Sequence, residues 1–285
     1  MKFRLIDKLT LGYILFNIIL IIFGWNWVHE PQKNIIVFST FGISLYLFVK
    51  FEEKYKFVKF LKDWSPFIFF GYFFEATTSM NLIFIHHYID PFFQKIDLAI
   101  FGYQPAIEWG RSLDNFFWQE WFHFAYFSYY LMIFGIAVWL YLKRRKNFYQ
   151  YTFLVFFLFY VCYITYIFLP VIGGRFWQEN MDIATKYRYG IFTRLMAFIY
   201  TNSPHKGAAF PSSHVAVALV VSLYAYKVKK MLGYILLFVT FSLAIATVYC
   251  HYHYFIDTIF GILYAIIFYI VGLKFYNNYE RIIDV

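Results

Sequence analysis

Charge is what this sequence has least of. Only 14% of its 285 residues are Asp, Glu, Lys or Arg, against about a quarter in a soluble globular domain. Set beside a hydrophobic share of 62%, that scarcity excludes a soluble protein. Acidic residues are the scarcer sign, 16 against 25 basic ones, which leaves a net charge of +9. The basic residues sit in short stretches between apolar runs and form no groove interleaved with aromatics. Nucleic acid is therefore not an expected partner, whereas anionic lipid head groups are. Cysteine is nearly absent. Cys162 lies inside one apolar run and Cys250 near the end of another, which makes neither a disulfide framework nor a metal site. No small-residue cleavage site follows the first apolar run, so that run reads as an uncleaved span. Repeats, low-complexity tracts and linkers are not evident.

What remains is a series of apolar runs of membrane-spanning length, about 20 residues each. Eight stand out: Leu9 to Val28, Ile35 to Lys50, Pro66 to Ile85, Trp121 to Leu142, Tyr151 to Pro170, Pro211 to Val228, Met231 to Tyr249, and Tyr254 to Leu273. The sequence predicts an all-α, polytopic transmembrane bundle of about eight spans, with six to eight as the range. It divides into a two-span region, 1–64, and a helical bundle, 65–285, that carries the chemistry. If the N-terminus is cytoplasmic and all eight runs cross, one side holds 17 of the Lys and Arg residues and the other 8. The positive-inside rule then puts both termini in the cytoplasm, and a bacterial inner membrane is the expected location. Two long polar segments, His86 to Glu120 and Val171 to Phe210, fall on the opposite side. Connections of that length are usually functional.

The ionisable residues at the ends of the runs carry the chemical signal. His253 and Asp257 are four apart at the start of the last run, on one helix face. A carboxylate there can take the Nδ1–H of the imidazole and leave Nε2 nucleophilic. His251, two residues earlier, points away from His253, which argues against a shared metal, and it reads as an interfacial histidine. In Phe210-Pro211-Ser212-Ser213-His214, Pro and Ser suit a helix start whose free N–H groups can hold phosphate oxygens. Ser212 and Ser213 add hydroxyl donors, and His214 is placed as a general acid. In Gly173-Gly174-Arg175, the guanidinium matches phosphate geometry. A nucleophile, a proton donor and a cation at matching span ends make up the inventory of phosphoryl transfer. Glu75 is a carboxylate inside the third run, a candidate for a head-group contact or an ion pair.

These motifs resemble the type 2 phosphatidic acid phosphatase superfamily of membrane enzymes. Pro211, Ser212, Ser213 and His214 match its Pro-Ser-x-His motif, and His253 and Asp257 match the end of its His-x-x-x-Asp motif. The resemblance implies that His253 is the nucleophile, that Asp257 orients it, and that His214 protonates the leaving group, with no metal or cofactor. Two motifs depart from the family pattern. Thr247 stands where an arginine is common, six residues before the histidine. Lys186 and Arg194 do not keep the spacing of the first motif, and Arg175 is the better substitute. The departures, with Asp90-Pro91 to Asp97, Phe101-Gly102 and Pro105, are similar to the inositol phosphorylceramide synthase branch. Lys186, Arg188 and Lys206 are further candidates for holding phosphate. The expected function is a phosphatase or phosphotransferase acting on a phospholipid or polyprenyl phosphate at the extracytoplasmic face. A head-group transferase is the alternative within this chemistry. A non-catalytic lipid-binding or transport protein on the same scaffold is the alternative outside it.

Overall fold

The computed structural model describes residues 2–174, 190–202 and 205–283. Its helices in chain order are α1 (Leu5–Phe23), α2 (Pro31–Phe51), α3 (Lys56–Met80), α4 (Asp90–Phe101), α5 (Pro105–Ser112), α6 (Phe116–Lys143), α7 (Arg145–Phe168), α8 (Ile191–Asn202), α9 (Ser213–Val228), α10 (Lys230–Tyr249) and α11 (Phe255–Ile283). Prolines open α2, α4 and α5, where the missing N–H and fixed φ cost nothing. Gly102 ends α4 in the left-handed conformation that a residue with a Cβ adopts only with strain.

Every one of the eight expected runs is a helix, and the bundle is all-α as predicted. Six of the helices (α1, α2, α6, α7, α10 and α11) are long and apolar enough to cross a membrane. Helix α9 is apolar but has only 16 residues. Helix α3 extends further toward the N-terminus than its apolar run, taking in Lys56, Lys59, Lys62 and Asp63. The expected division at residues 64/65 lies inside this helix.

Helix α9 is the axis of the bundle. It packs against α6, α7, α10 and α11, and Val215, Ala216, Val217, Ala218, Val220 and Val221 are all fully buried. An apolar helix with no polar face belongs at such a position. Helices α1, α2 and α3 form a layer on one side, joined to the rest through α7. Near the start of α3 a charged network welds this layer. Asp63 pairs with Arg4 at 2.5 Å and Arg145 at 3.2 Å, and Lys62 pairs with Asp7 at 3.2 Å and with Glu52. Each buried charge there has an opposite charge beside it, as burial requires.

The alternation of helix directions brings the starts of α6, α9 and α11 to the same end of the bundle as the finishes of α3, α7 and α10. The first long polar segment and the described parts of the second, 171–174, 190–202 and 205–210, also gather there. The first is not a loose loop: it folds into the short helices α4 and α5.

Candidate active site

Three backbone segments meet at that end and are stitched together. Val171 and Ala208 form a parallel β-bridge, with Ala209 N–H donating to the Val171 carbonyl at 2.9 Å. The Ser212 N–H donates to the Asp257 carbonyl at 3.0 Å, and the Tyr166 hydroxyl to the Pro211 carbonyl at 3.1 Å. The loop before α11 is held from behind by Thr247, whose carbonyl accepts from the N–H groups of both Tyr252 and His253 at 3.0 Å.

Two aspartates on α4 complete the framework. Asp90 accepts from the N–H groups of Ile172 (3.0 Å) and Gly173 (2.9 Å) and from the Tyr254 hydroxyl (2.8 Å). Asp97 accepts from the N–H groups of Phe255 (2.7 Å) and Ile256 (3.1 Å), and so caps the first turn of α11. Carboxylates suit that position because the helix N-terminus is partially positive. Burial raises the Asp97 carboxyl above the usual carboxylate range, against the pull of its two backbone donors. Burial likewise pushes the Tyr254 phenol up, and the neighbouring Asp90 charge adds to it. Gly173 has φ +84°, and a Cβ there would lie 2.5 Å from the Tyr252 carbonyl oxygen. Only glycine permits this approach of the two loops.

On this framework sit the residues singled out by sequence. His253 stands immediately before α11, with Nδ1 3.4 Å from Oδ2 of Asp257 one turn later. Asp257 is fully buried and its Oδ2 also accepts the Tyr254 N–H at 2.9 Å. His214 is the second residue of α9, and its ring centre lies 6.1 Å from that of His253. Both rings, with Ser213, line one cavity of about 310 Å³. Ser212 caps α9, its buried hydroxyl facing the Val215 N–H at 3.5 Å, and is not part of the cavity wall. Lys206 is exposed and its carbonyl accepts from Asn81 at 2.8 Å; its side chain is not in the wall either. Arg175, Lys186 and Arg188 lie outside the described residues.

Thr247, at the position of the family's arginine, is fully buried, with its hydroxyl 2.8 Å from that of Thr258 on α11. His251 is buried rather than interfacial. It hydrogen-bonds the Ala106 carbonyl of α5 and packs so closely on Gly110 that a Cβ there would lie 2.6 Å from its ring. Burial lowers its pKa, so it stands as a neutral ring.

Sequence reasoning missed two groups. Tyr126 on α6 places its hydroxyl 3.1 Å from His214 Nε2, and Tyr200 on α8 donates to the Tyr126 hydroxyl at 2.6 Å. No sequence signal distinguishes these two among 28 tyrosines. The structural duty of Asp90 and Asp97 was also missed. Its available signal was their seven-residue spacing, which puts two acids on one face of a short helix.

Much of the rest of the cavity wall is aromatic and comes from α3 and α6. These helices touch through Phe67 and Phe70 against Phe134, and through Trp64 against Tyr141. Farther along, Phe74 and Glu75 of α3 and Tyr126 and Tyr130 of α6 line the cavity instead.

A family model described as the PAP2 superfamily matches residues 100–271. A PA-phosphatase related-family protein of Dictyostelium discoideum is 26% identical over 270 residues, which cover 91% of this chain. The chain spans about 40% of the length of that relative. Among solved structures, Aquifex aeolicus LpxE aligns with a TM-score of 0.44 at 16% identity, over 66% of this chain and 99% of that one.

Proposed function

Because the chain belongs to the PAP2 superfamily, we propose that it is a membrane lipid-phosphate phosphatase or phosphotransferase working through a phosphohistidine. The observation that carries this reading is the pairing of His214 and His253 across one cavity, with Asp257 behind the second ring.

His253 Nε2 attacks phosphorus, forming a P–N bond as the P–O bond to the lipid alcohol breaks. His214 gives its proton to the departing oxygen. The Asp257 carboxylate holds the Nδ1–H and balances the positive charge on the substituted imidazole. Water or a hydroxyl acceptor then attacks the phosphohistidine while His214 takes back a proton. That breaks the P–N bond and restores His253. The His214 backbone N–H at the start of α9 is suited to a phosphate oxygen, beside the Ser213 hydroxyl, which also meets Tyr166. Arg175, Lys186 and Arg188 are the proposed cationic clamps. The substrate is a phospholipid or polyprenyl phosphate, and the aromatic wall between α3 and α6 favours its approach from the bilayer. Counting of basic residues supports an extracytoplasmic site, with both termini in the cytoplasm.

Thr247 favours one refinement. A buried threonine in place of the arginine leaves the site short of a family cation, as in the inositol phosphorylceramide synthase branch. A lipid or sugar hydroxyl is the acceptor under that reading. The deciding experiment offers phosphatidate, polyprenyl phosphate and lipid pyrophosphate to the protein in nanodiscs, beside His253→Ala. Phosphate release that depends on His253 establishes a phosphatase. His253-dependent movement of a labelled head group to an added alcohol establishes a transferase. Neither activity would overturn the catalytic reading and leave lipid binding or transport.

A further inference from the structure

Glu75 plays no part in the chemistry above, yet it lines the same cavity as His214 and His253. It lies on α3, about one and a half turns before the helix ends at Met80. Its side chain is exposed and has no hydrogen-bond or ion-pair partner among the described residues. The other two acids within α1 to α3 behave differently: Asp7 pairs with Lys62, and Asp63 with Arg4 and Arg145. A carboxylate in a membrane bundle is costly without a countercharge, so a ligand is the natural source of one.

The phosphate cannot be what Glu75 contacts, because the two repel. A metal ion is also a poor fit, since no cluster of three His, Cys, Asp or Glu side chains surrounds Glu75 among the described residues. A neutral hydroxyl would leave the charge unbalanced. A cationic nitrogen balances it and meets a second favourable surface. The rings of Tyr126, Tyr130, Tyr200 and Tyr252 line the same cavity, and aromatic faces attract ammonium groups.

We propose that Glu75 is a specificity residue that binds an ammonium group on the lipid substrate, carried close to the phosphate. The substrate class is then an amino-alcohol phosphate lipid rather than a purely anionic one. This rests on the lipid-phosphate reading of the site.

The test uses two probes that differ at the nitrogen, sphingosine 1-phosphate with a cationic amine and its N-acetyl counterpart with a neutral amide. Each is presented to the full chain in nanodiscs of one fixed composition. The wild type should prefer the free amine in kcat/KM by about tenfold or more, the size of a charge-assisted hydrogen bond. In Glu75→Gln the ratio of the two values should fall toward one. A wild type that treats the probes alike, or a Glu75→Gln ratio that stays put, overturns the proposal. The ratio is insensitive to a general loss of folded protein. Binding of the two non-hydrolysable phosphonate analogues gives the same ratio without turnover. An amine preference in binding that Glu75→Gln erases, with no phosphate release at all, would sink the phosphatase reading and keep this one.

Discussion

The two ends of α3 treat charge in opposite ways. At its start, Lys62 and Asp63 are buried, each with two partners of opposite sign. About 20 Å along the same helix, Glu75 faces a cavity without a partner among the described residues. Two histidines line the same cavity. The first arrangement consumes its own electrostatics and holds helices together. The second leaves its electrostatics available to something that arrives. In a membrane bundle, rarity of charge alone does not tell structure from chemistry, but the state of pairing does.

The comparison breaks most sharply if the cavity end proves structural. His253→Ala is expected to lower turnover by about 10³-fold or more, while the melting temperature in detergent stays near that of the wild type. A large loss of stability with modest loss of turnover would reverse the assignment. At the other end, Asp63→Ala removes the partner of half-exposed Arg145 and one of the two acidic partners of Arg4, which keeps Asp7. It should destabilise the fold by about 1–3 kcal/mol, read as a fall in melting temperature, with activity per folded molecule retained. Loss of turnover in protein that remains folded would mean that the two ends are coupled.

Within the site, Tyr126→Phe removes the hydroxyl that meets His214 Nε2 and detaches Tyr200 from the imidazole. The expectation is about a tenfold loss in kcat at unchanged KM, with a displaced limb in the pH–rate profile. A change confined to KM would make Tyr126 a packing residue only. The smallest effect concerns His251. Its pKa is lowered in the fold by burial, so its neutral form is the one the fold holds. The unfolded chain takes up a proton near the ordinary value of 6.5, and His251 therefore withdraws stability as pH falls through and below that value. Melting temperatures taken from pH 7.5 down to 5 should decline, and less steeply in His251→Gln. Equal slopes would place the acid sensitivity elsewhere.

The helices were legible in the sequence because apolar runs of spanning length have few other uses. The start of α3 was not, because Lys56, Lys59, Lys62 and Asp63 look like a loop. Lys62 and Asp63 are helical there through ion pairs with α1, α7 and Glu52 just beyond α2, which is tertiary information. The placement of His214 and His253 in one cavity was legible because the motifs set each at the end of a run. Their supports were not. Asp90 and Asp97 act on backbone N–H groups 82 to 159 positions away, and a backbone donor leaves no mark on residue type. Tyr126 and Tyr200 were hidden by abundance in a chain that is 27% aromatic.

The shortness of α9 sets the depth at which a reaction can occur. Sixteen residues rise about 24 Å, less than the roughly 30 Å of hydrocarbon in a typical bilayer. On the proposed reading, with Lys227, Lys229 and Lys230 at one membrane surface, His214 would end several ångströms beneath the other. A lipid phosphate would then have to be drawn below its resting plane to reach it, or the leaflet to thin to bring it down. The thickness of the host membrane then becomes a control on the rate, set by lipid chain length rather than by any residue of the site.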